Sequence, residues 1–367
     1  MSDTAILEGR NLVKRFGGRS GLLDSSPVVH AVNDVSLSVR RGETFAIVGE
    51  SGCGKSTLGR LLLRLIEPSE GQVFYEGQDI TRLDAKAMRR LRRDLQIIFQ
   101  DPFASLNPRM TVGTIIAEPI RLHGLAKGKA VNEKVAELLR IVGLRPEYAD
   151  RYPHEFSGGQ RQRIGIARAL AGEPKLIIGD EPVSALDVSI QAQVINLLED
   201  LKARFGLTLV IVAHDLAVIR HMSDRVAVMY LGEIVELSTV DPLYETPLHP
   251  YTQALLKAIP SPVPEGRVAR ALLQGDVPSP TDLPSGCRFH TRCPHMRERC
   301  AQEHPRLETV AEGRSVACHF WREIQEAGER PTSPPQSADR LAMRLELYRA
   351  RQARKEAAEQ TSTGGQP

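Results

Sequence analysis

The stretch GESGCGKST, Gly49 to Thr57, constrains this chain more than any other. It fits the pattern G-x-x-x-x-G-K-[ST], follows the apolar run FAIV and opens STLGRLLLRLI, which reads as a buried helix over 56–66. A glycine-rich turn between a strand and a helix lets successive backbone N–H groups converge on phosphates, where the helix dipole also favours negative charge. Gly49, Gly52 and Gly54 let the backbone curl around a nucleotide such as ATP, and Glu50, Ser51, Cys53 and Thr57 complete the loop. Lys55 reaches the outer phosphates and Ser56 holds Mg²⁺. Cys53 is read as a small residue of the loop, not as a metal ligand.

Three more apolar runs end in polar groups, as ligand-binding strands of an α/β sheet do. KLIIGDEP places Asp180 beside the metal and Glu181 toward the γ-phosphate, where a base or water-orienting group must sit. LVIVAH ends in His214, and LQIIFQ ends in Gln100, whose amide could reach Mg²⁺ or the attacking water. Gly179 has no evident reason in the sequence. Residues 5–80 alternate short apolar runs with turns and read as a mixed β region; 85–155 reads as mostly helical, with AVNEKVAELLRIVGL its clearest amphipathic segment. The alternation of helices and continuous apolar strands after that implies a parallel sheet covered on both faces.

A second phosphate cradle follows about a hundred residues later: FSGGQRQRIGIARAL puts a serine and two glycines at a helix start. The chain is 367 residues long, enough for more than one core, with 41% hydrophobic residues and a net charge of +3. That balance demands neither nucleic acid nor an anionic membrane surface. No apolar run approaches the roughly 20 residues of a spanning helix, and MSDTAILEGR lacks a signal-peptide layout, so a cytosolic chain that meets membranes through partners is expected.

The loop GESGCGKST, the glutamine, SGGQ, DEP, SALD and the histidine occur in the order of an ABC-transporter ATPase, which the chain resembles from about residue 5 to 240 and on into the tail. The resemblance implies an α/β P-loop fold: a RecA-like core with a β subdomain and a helical subdomain over about 85–170, all within 1–245. It implies that Glu181 and His214 are catalytic, that Ser56, Gln100 and Asp180 hold Mg²⁺, and that Phe16 stacks on adenine where tyrosine is commoner. It also accounts for the second cradle. Ser157, Gly158, Gly159 and Gln160 would cap the nucleotide of a partner ATPase chain in a head-to-tail pair, with Asp187 of SALD crossing the same interface. Phe156 stands where the family usually has leucine. A soluble non-transport ABC factor would carry two cassettes or a long coiled-coil insertion, and a P-loop kinase would lack SGGQ and SALD.

FQDPFASLNPRMTVGTIIAEPI, 99–120, is similar to the coupling region of the dipeptide/oligopeptide/nickel branch, and DPFASLNP to its second (F-type) ATPase subunit. Pro102, Phe103, Leu106 and Pro108 would receive a helix of a membrane subunit. The resemblance implies a peripheral protein on the cytoplasmic face of the inner membrane. Its partners would be a homologous second ATPase, two membrane permease subunits and, indirectly, an extracytoplasmic binding protein. Peptides are the expected cargo, with nickel, glutathione and opines served by the same machinery. LHPYTQALLKAIP and the cysteine-bearing stretch resemble the C-terminal region of this branch, 246–325. Cys287, Cys293, Cys300 and Cys318 have five, six and seventeen residues between them, without the C-x₂₋₄-C pairs of zinc sites. Four separate thiolates suit a [4Fe–4S] cluster, which has been recognised in some members of the branch. His290, His295 and His319 keep Zn²⁺ open, and unligated buried thiols are the third reading. Residues 260–325 hold few large apolar side chains, so a metal staple is expected there. Residues 326–367 read as a linker and a helical tail with Leu341, Leu345 and Tyr348 on one stripe.

Overall fold

Strands buried on both sides must be apolar at every position, and their alternate residues must serve two different cores. The chain meets both conditions apart from a few buried polar residues at strand ends: Thr44, Asp180, Thr208 and Arg225. The computed structural model describes residues 5–18, 27–184, 186–259 and 275–327. Its first sheet is antiparallel and joins β1 (Ala5–Phe16), β2 (Val29–Arg40), β4 (Glu70–Tyr75) and β5 (Gln78–Asp79) in the order β2-β1-β4-β5. The second contains β3 (Thr44–Val48), β6 (Leu95–Ile98), β7 (Leu176–Asp180), β8 (Thr208–Ala213), β9 (Arg225–Tyr230), β10 (Glu233–Thr239), β11 (Glu308–Ala311) and β12 (Arg314–Val316). Its order is β11-β12-β10-β9-β3-β8-β7-β6, with β9, β3, β8, β7 and β6 parallel.

Ala46, Val48, Leu209 and Ile211 belong to one hydrophobic core, while their chain neighbours Phe45, Ile47, Val210 and Val212 belong to the other. The first core holds α3 (Val112–Leu122), α4 (Lys129–Ile141), α5 (Gly158–Leu170), α6 (Val188–Phe205) and α7 (Leu216–Met222). The second holds α1 (Lys55–Leu62), the buried face of α2 (Ala85–Leu91) and the antiparallel sheet. The stretch read as mostly helical is interrupted by β6, whose Leu95 and Ile98 pair with β7 at the sheet's edge. An apolar run of four residues is too short to settle helix against strand by itself; its pairing settles it.

The C-terminal region departs from the reading of a module without a core. β12 pairs with β10 through Glu236–Val316 and Leu237–Ser315, so the β11–β12 hairpin extends the main sheet. Phe289 is 1% exposed and lies in the first core, with Cys287 and Cys293 packed against it. This region borrows the chain's central core through α8 (Val240–Glu245) and α9 (Pro250–Ala258), and adds α10 (Glu298–Gln302) and α11 (Trp321–Glu326) outside it. The tail stripe of Leu341, Leu345 and Tyr348 lies outside the described residues.

Candidate nucleotide site

β3 runs straight into the glycine loop, and α1 begins at Lys55. Two glycines are required by close approach as well as by φ. Gly49 (φ +153°) and Gly54 (φ +102°) would place a Cβ 2.2 Å from the carbonyl oxygen of Met229 and 2.0 Å from that of Ala31. The loop is therefore seated on β9 and β2, with Cys53 buried beneath it and Ser51 and Gly52 on its exposed outer turn. Lys55 is 4% exposed, and its Nζ donates to the carbonyls of Gly49 (2.8 Å) and Glu50 (2.9 Å), which hold the ammonium inside the loop. Thr57 is half-buried on the first turn of α1.

The sheet order gathers the other predicted residues. β8 lies between β3 and β7, and β6 lies beyond β7, so four strand ends stand side by side. Ser56 Oγ donates to Asp180 Oδ1 at 2.6 Å. Asp180 is 2% exposed, its Oδ2 has no hydrogen-bond partner, and Arg60 Nη2 stands 3.5 Å away. A buried carboxylate oxygen without a donor, beside a hydroxyl, is the donor chemistry that Mg²⁺ takes. Glu181 leaves the strand with φ +46°, an uncommon left-handed conformation for a non-glycine residue, while its N–H donates to Val212 O at 3.0 Å. Its carboxylate Oε2 accepts from Gln100 Nε2 at 2.9 Å and stands 3.4 Å from His214 Nδ1. Gln100, Glu181 and His214 thus share one oxygen, although 114 residues separate the first from the last.

Gly179 now has a reason. A Cβ there would sit 3.0 Å from Pro182 Cγ and 3.1 Å from Ile211 Cδ1, because the turn after Glu181 folds Pro182 back over the strand. Tyr251 is a contributor that sequence reasoning missed: its hydroxyl accepts the Glu50 N–H at 2.8 Å. LHPYTQALLKAIP carried no chemical signal for that contact beyond a tyrosine.

A family model described as ABC transporter matches residues 32–184, and one described as the C-terminal region of oligopeptide/dipeptide transporters matches 235–300. The oligopeptide transport ATP-binding protein AppF of Bacillus subtilis is 55% identical over 86% of this chain and 97% of its own length. The chain belongs to the ABC transporter family. A probable peptide ABC transporter ATP-binding protein of Sinorhizobium fredii, y4tS, is 54% identical over 87% of this chain and 90% of that protein. Among solved structures, a dimeric post-hydrolysis state of the ATP-binding cassette MJ0796 with ADP and Pi superposes with a TM-score of 0.57 and 30% identity. It covers 64% of this chain and 98% of that one. The two-sheet α/β architecture is that of an ABC ATPase cassette.

In this ABC cassette, Ser157 is the N-cap of α5 and forms a capping box with Gln160: its Oγ accepts the Gln160 N–H at 3.4 Å, and Gln160 Oε1 accepts the Ser157 N–H at 3.1 Å. Gly159 is a packing requirement, since a Cβ there would lie 2.5 Å from Ile190 Cγ2 of α6; Gly158 meets nothing closer than 3.7 Å. Asp187 caps α6, accepting from the Ile190 N–H at 3.0 Å and the Ser189 hydroxyl at 2.7 Å, and the Ser189 bond holds its carboxyl below the usual range. Phe16 ends β1, 41% exposed, with Lys14 Nζ 5.0 Å from its ring centre. The apolar stretch expected to form a groove is divided. Leu106 and Pro102 are buried in the cassette itself, and Phe103, 61% exposed, stacks under Arg161 of α5 with 3.8 Å from guanidinium to ring centre.

Cys287, Cys293, Cys300 and Cys318 line one small cavity together with His290, His295 and His319. Burial, aided by the neighbouring thiols, pushes Cys287 and Cys293 up to about 11 and Cys318 up to about 12. No group of three or more His, Cys, Asp or Glu able to hold a metal ion is found among the described residues, so neither the iron–sulfur nor the zinc expectation is supported by geometry. The donor chemistry alone suits soft metals. No described helix is long and apolar enough to cross a membrane.

Proposed function

We propose that this cassette is the ATP-hydrolysing subunit of an importer for di- or oligopeptides, paired with a homologous second ATPase and seated on two permease subunits at the cytoplasmic face of the inner membrane. An extracytoplasmic binding protein supplies the cargo, and nucleic acid plays no part. One observation carries the ATPase chemistry: Glu181 Oε2 is shared by Gln100 and His214 at the strand ends next to the phosphate loop. Peptide cargo is supported by relatives of 52–55% identity that are named for peptide or oligopeptide transport. The domains follow as 1–245 for the cassette, 246–325 for the C-terminal region and 326–367 for the tail.

In this reading the loop amides and Lys55 bind the phosphates of ATP, and Phe16 stacks on adenine. Ser56, Asp180 and Gln100 hold Mg²⁺, which neutralises charge on the phosphates. Glu181 orients and polarises the attacking water, and His214 holds the γ-phosphate. Ser157, Gly158, Gly159 and Gln160 cover the partner's nucleotide, with Asp187 at the same interface. Arg161 and Arg168 of α5 clasp the segment 99–108, through the Phe103 ring and the Ser105 carbonyl (2.6 Å), which supports a mechanical link between that segment and the helix that Ser157 caps.

The paired ATPases, rebuilt with the permease subunits in lipid vesicles, should hydrolyse Mg-ATP and import labelled peptide from the binding protein. Ser157→Arg in this chain alone should stop turnover at the partner's nucleotide and spare this chain's own. Loss confined to the chain's own site would overturn the shared-site reading, and peptide-independent ATPase without uptake would overturn the transport reading.

For the cysteine cavity, the reading is a [4Fe–4S] cluster held by Cys287, Cys293, Cys300 and Cys318, with Zn²⁺ as the competing occupant; it rests on the soft donor chemistry of the residues lining the cavity, not on a preformed ligand geometry. Anaerobically purified protein should be brown, absorb broadly near about 400 nm and contain roughly four irons per chain. Cys300→Ser should remove the colour while nucleotide still binds. Colourless protein with one zinc per chain would replace the cluster by zinc, and metal-free, folded protein would remove both.

A further inference from the structure

One ion pair ties the far end of the chain to the phosphate loop. Glu50, the second residue of the loop, accepts a two-pronged contact from Arg292, 242 residues away: Nη1 to Oε2 at 2.7 Å and Nη2 to Oε1 at 3.0 Å. The Arg292 side chain is 5% exposed. Forked, charge-assisted contacts shielded from water are the strong members of their class, unlike exposed surface pairs.

The rest of the neighbourhood is built to hold that fork in place. Arg292 closes the short 3₁₀ turn His290–Arg292, between Cys287 and Cys293. Phe289, just before the turn, packs edge-on against Tyr230 with 5.3 Å between ring centres and lies 5.4 Å from the Tyr251 ring. All three rings are at most 1% exposed. Arg292 Nη1 also donates to Tyr230 Oη at 3.4 Å, and Tyr251 Oη accepts the Glu50 N–H. Glu50 is thereby gripped at its carboxylate and at its backbone, and both grips come from the region after residue 245.

A phosphate loop works by presenting several amides in one arrangement, and ordering its residues costs conformational entropy. Side chains that set the arrangement beforehand remove part of that cost from binding. We propose that Arg292 is a positioning residue for the nucleotide: with Tyr251 it pre-orders the phosphate loop, so that the C-terminal region sets ATP affinity without touching ATP. This rests on the ATPase reading of the loop.

The test is titration of full-length protein with a fluorescent ATP analogue, together with steady-state ATPase kinetics. Arg292→Gln should raise Kd and KM about tenfold, as expected for one lost charge-assisted contact, while kcat at saturation changes less than about twofold. Arg292→Lys, which keeps the charge and loses the fork, should recover part of the affinity. Glu50→Gln should show the same loss, and the double variant should be no worse than either single one, because all three break one contact. Wild-type affinity in Arg292→Gln, or multiplying losses in the double variant, would overturn the proposal. A parent chain that fails to bind the analogue would instead remove the ATPase reading on which it stands.

Discussion

Glu181→Gln should bind ATP as tightly as the parent chain and hydrolyse it about two to four orders of magnitude more slowly. The substitution keeps the size of the side chain and an oxygen able to accept from Gln100 Nε2, which donates to Glu181 Oε2 at 2.9 Å. The strand end is set by the backbone, through the Glu181 N–H to Val212 O and the left-handed φ, and both survive the change. What is lost is the negative charge that, in the proposed role, polarises the attacking water. Because binding and closure precede that step, the variant should also accumulate ATP-bound closed pairs, visible as a larger species on gel filtration with Mg-ATP. Turnover at the parent rate would take the catalytic role away from Glu181.

Lys55→Ala should fail earlier, at binding. Its ammonium is the cation enclosed by the loop carbonyls of Gly49 and Glu50, and it is almost wholly buried. Removal deletes a charge-assisted contact to the outer phosphates and leaves two carbonyls inside the loop without their donor. Affinity should fall by about two orders of magnitude or more, counting roughly 1.5–3 kcal/mol for the charged contact plus the unpaired carbonyls. Thermal melting separates the two variants. ATP at a hundred times the parent Kd stabilises a binding-competent fold by about 2.7 kcal/mol, an upshift expected in Glu181→Gln and absent in Lys55→Ala. An undiminished ATP-induced upshift in Lys55→Ala would exclude the phosphate role for this lysine.

The reading of residues and the folded chain part company where chemistry depends on neighbours distant in sequence. The turn at Gly49–Thr57 was legible because its strand, glycines, lysine and helix are contiguous, and short-range sterics dictate the loop. DEP and LVIVAH were legible as strand ends for the same reason. Gln100 had little to distinguish it; only the adjacency of β6 to β7 brings its amide to Glu181. Gly179 was unexplained because the atoms that crowd a side chain there belong to Pro182 and to Ile211 on the next strand. Leu106 looked like part of an exposed groove, yet it enters the core, since apolarity in a loop does not say which apolar surface covers it. The scarcity of large apolar side chains in 260–325 suggested a module held by a metal staple, whereas β12 adds to the main sheet and Phe289 packs against both Tyr230 and Tyr251.

By itself, then, the sequence determined the class of ligand, the order along the chain of the polar groups that end its strands and the α/β alternation that carries them. These follow from local geometry: strand and helix periods, the conformational freedom of glycine, and the charge each side chain bears. Tertiary structure alone decided which strand ends are neighbours, which glycines are demanded by packing, and that Arg292 and Tyr251 brace the phosphate loop from the other end of the chain. Such pairings depend on sheet order and on polar side-chain contacts between residues 200 or more positions apart, and no window of sequence contains both partners.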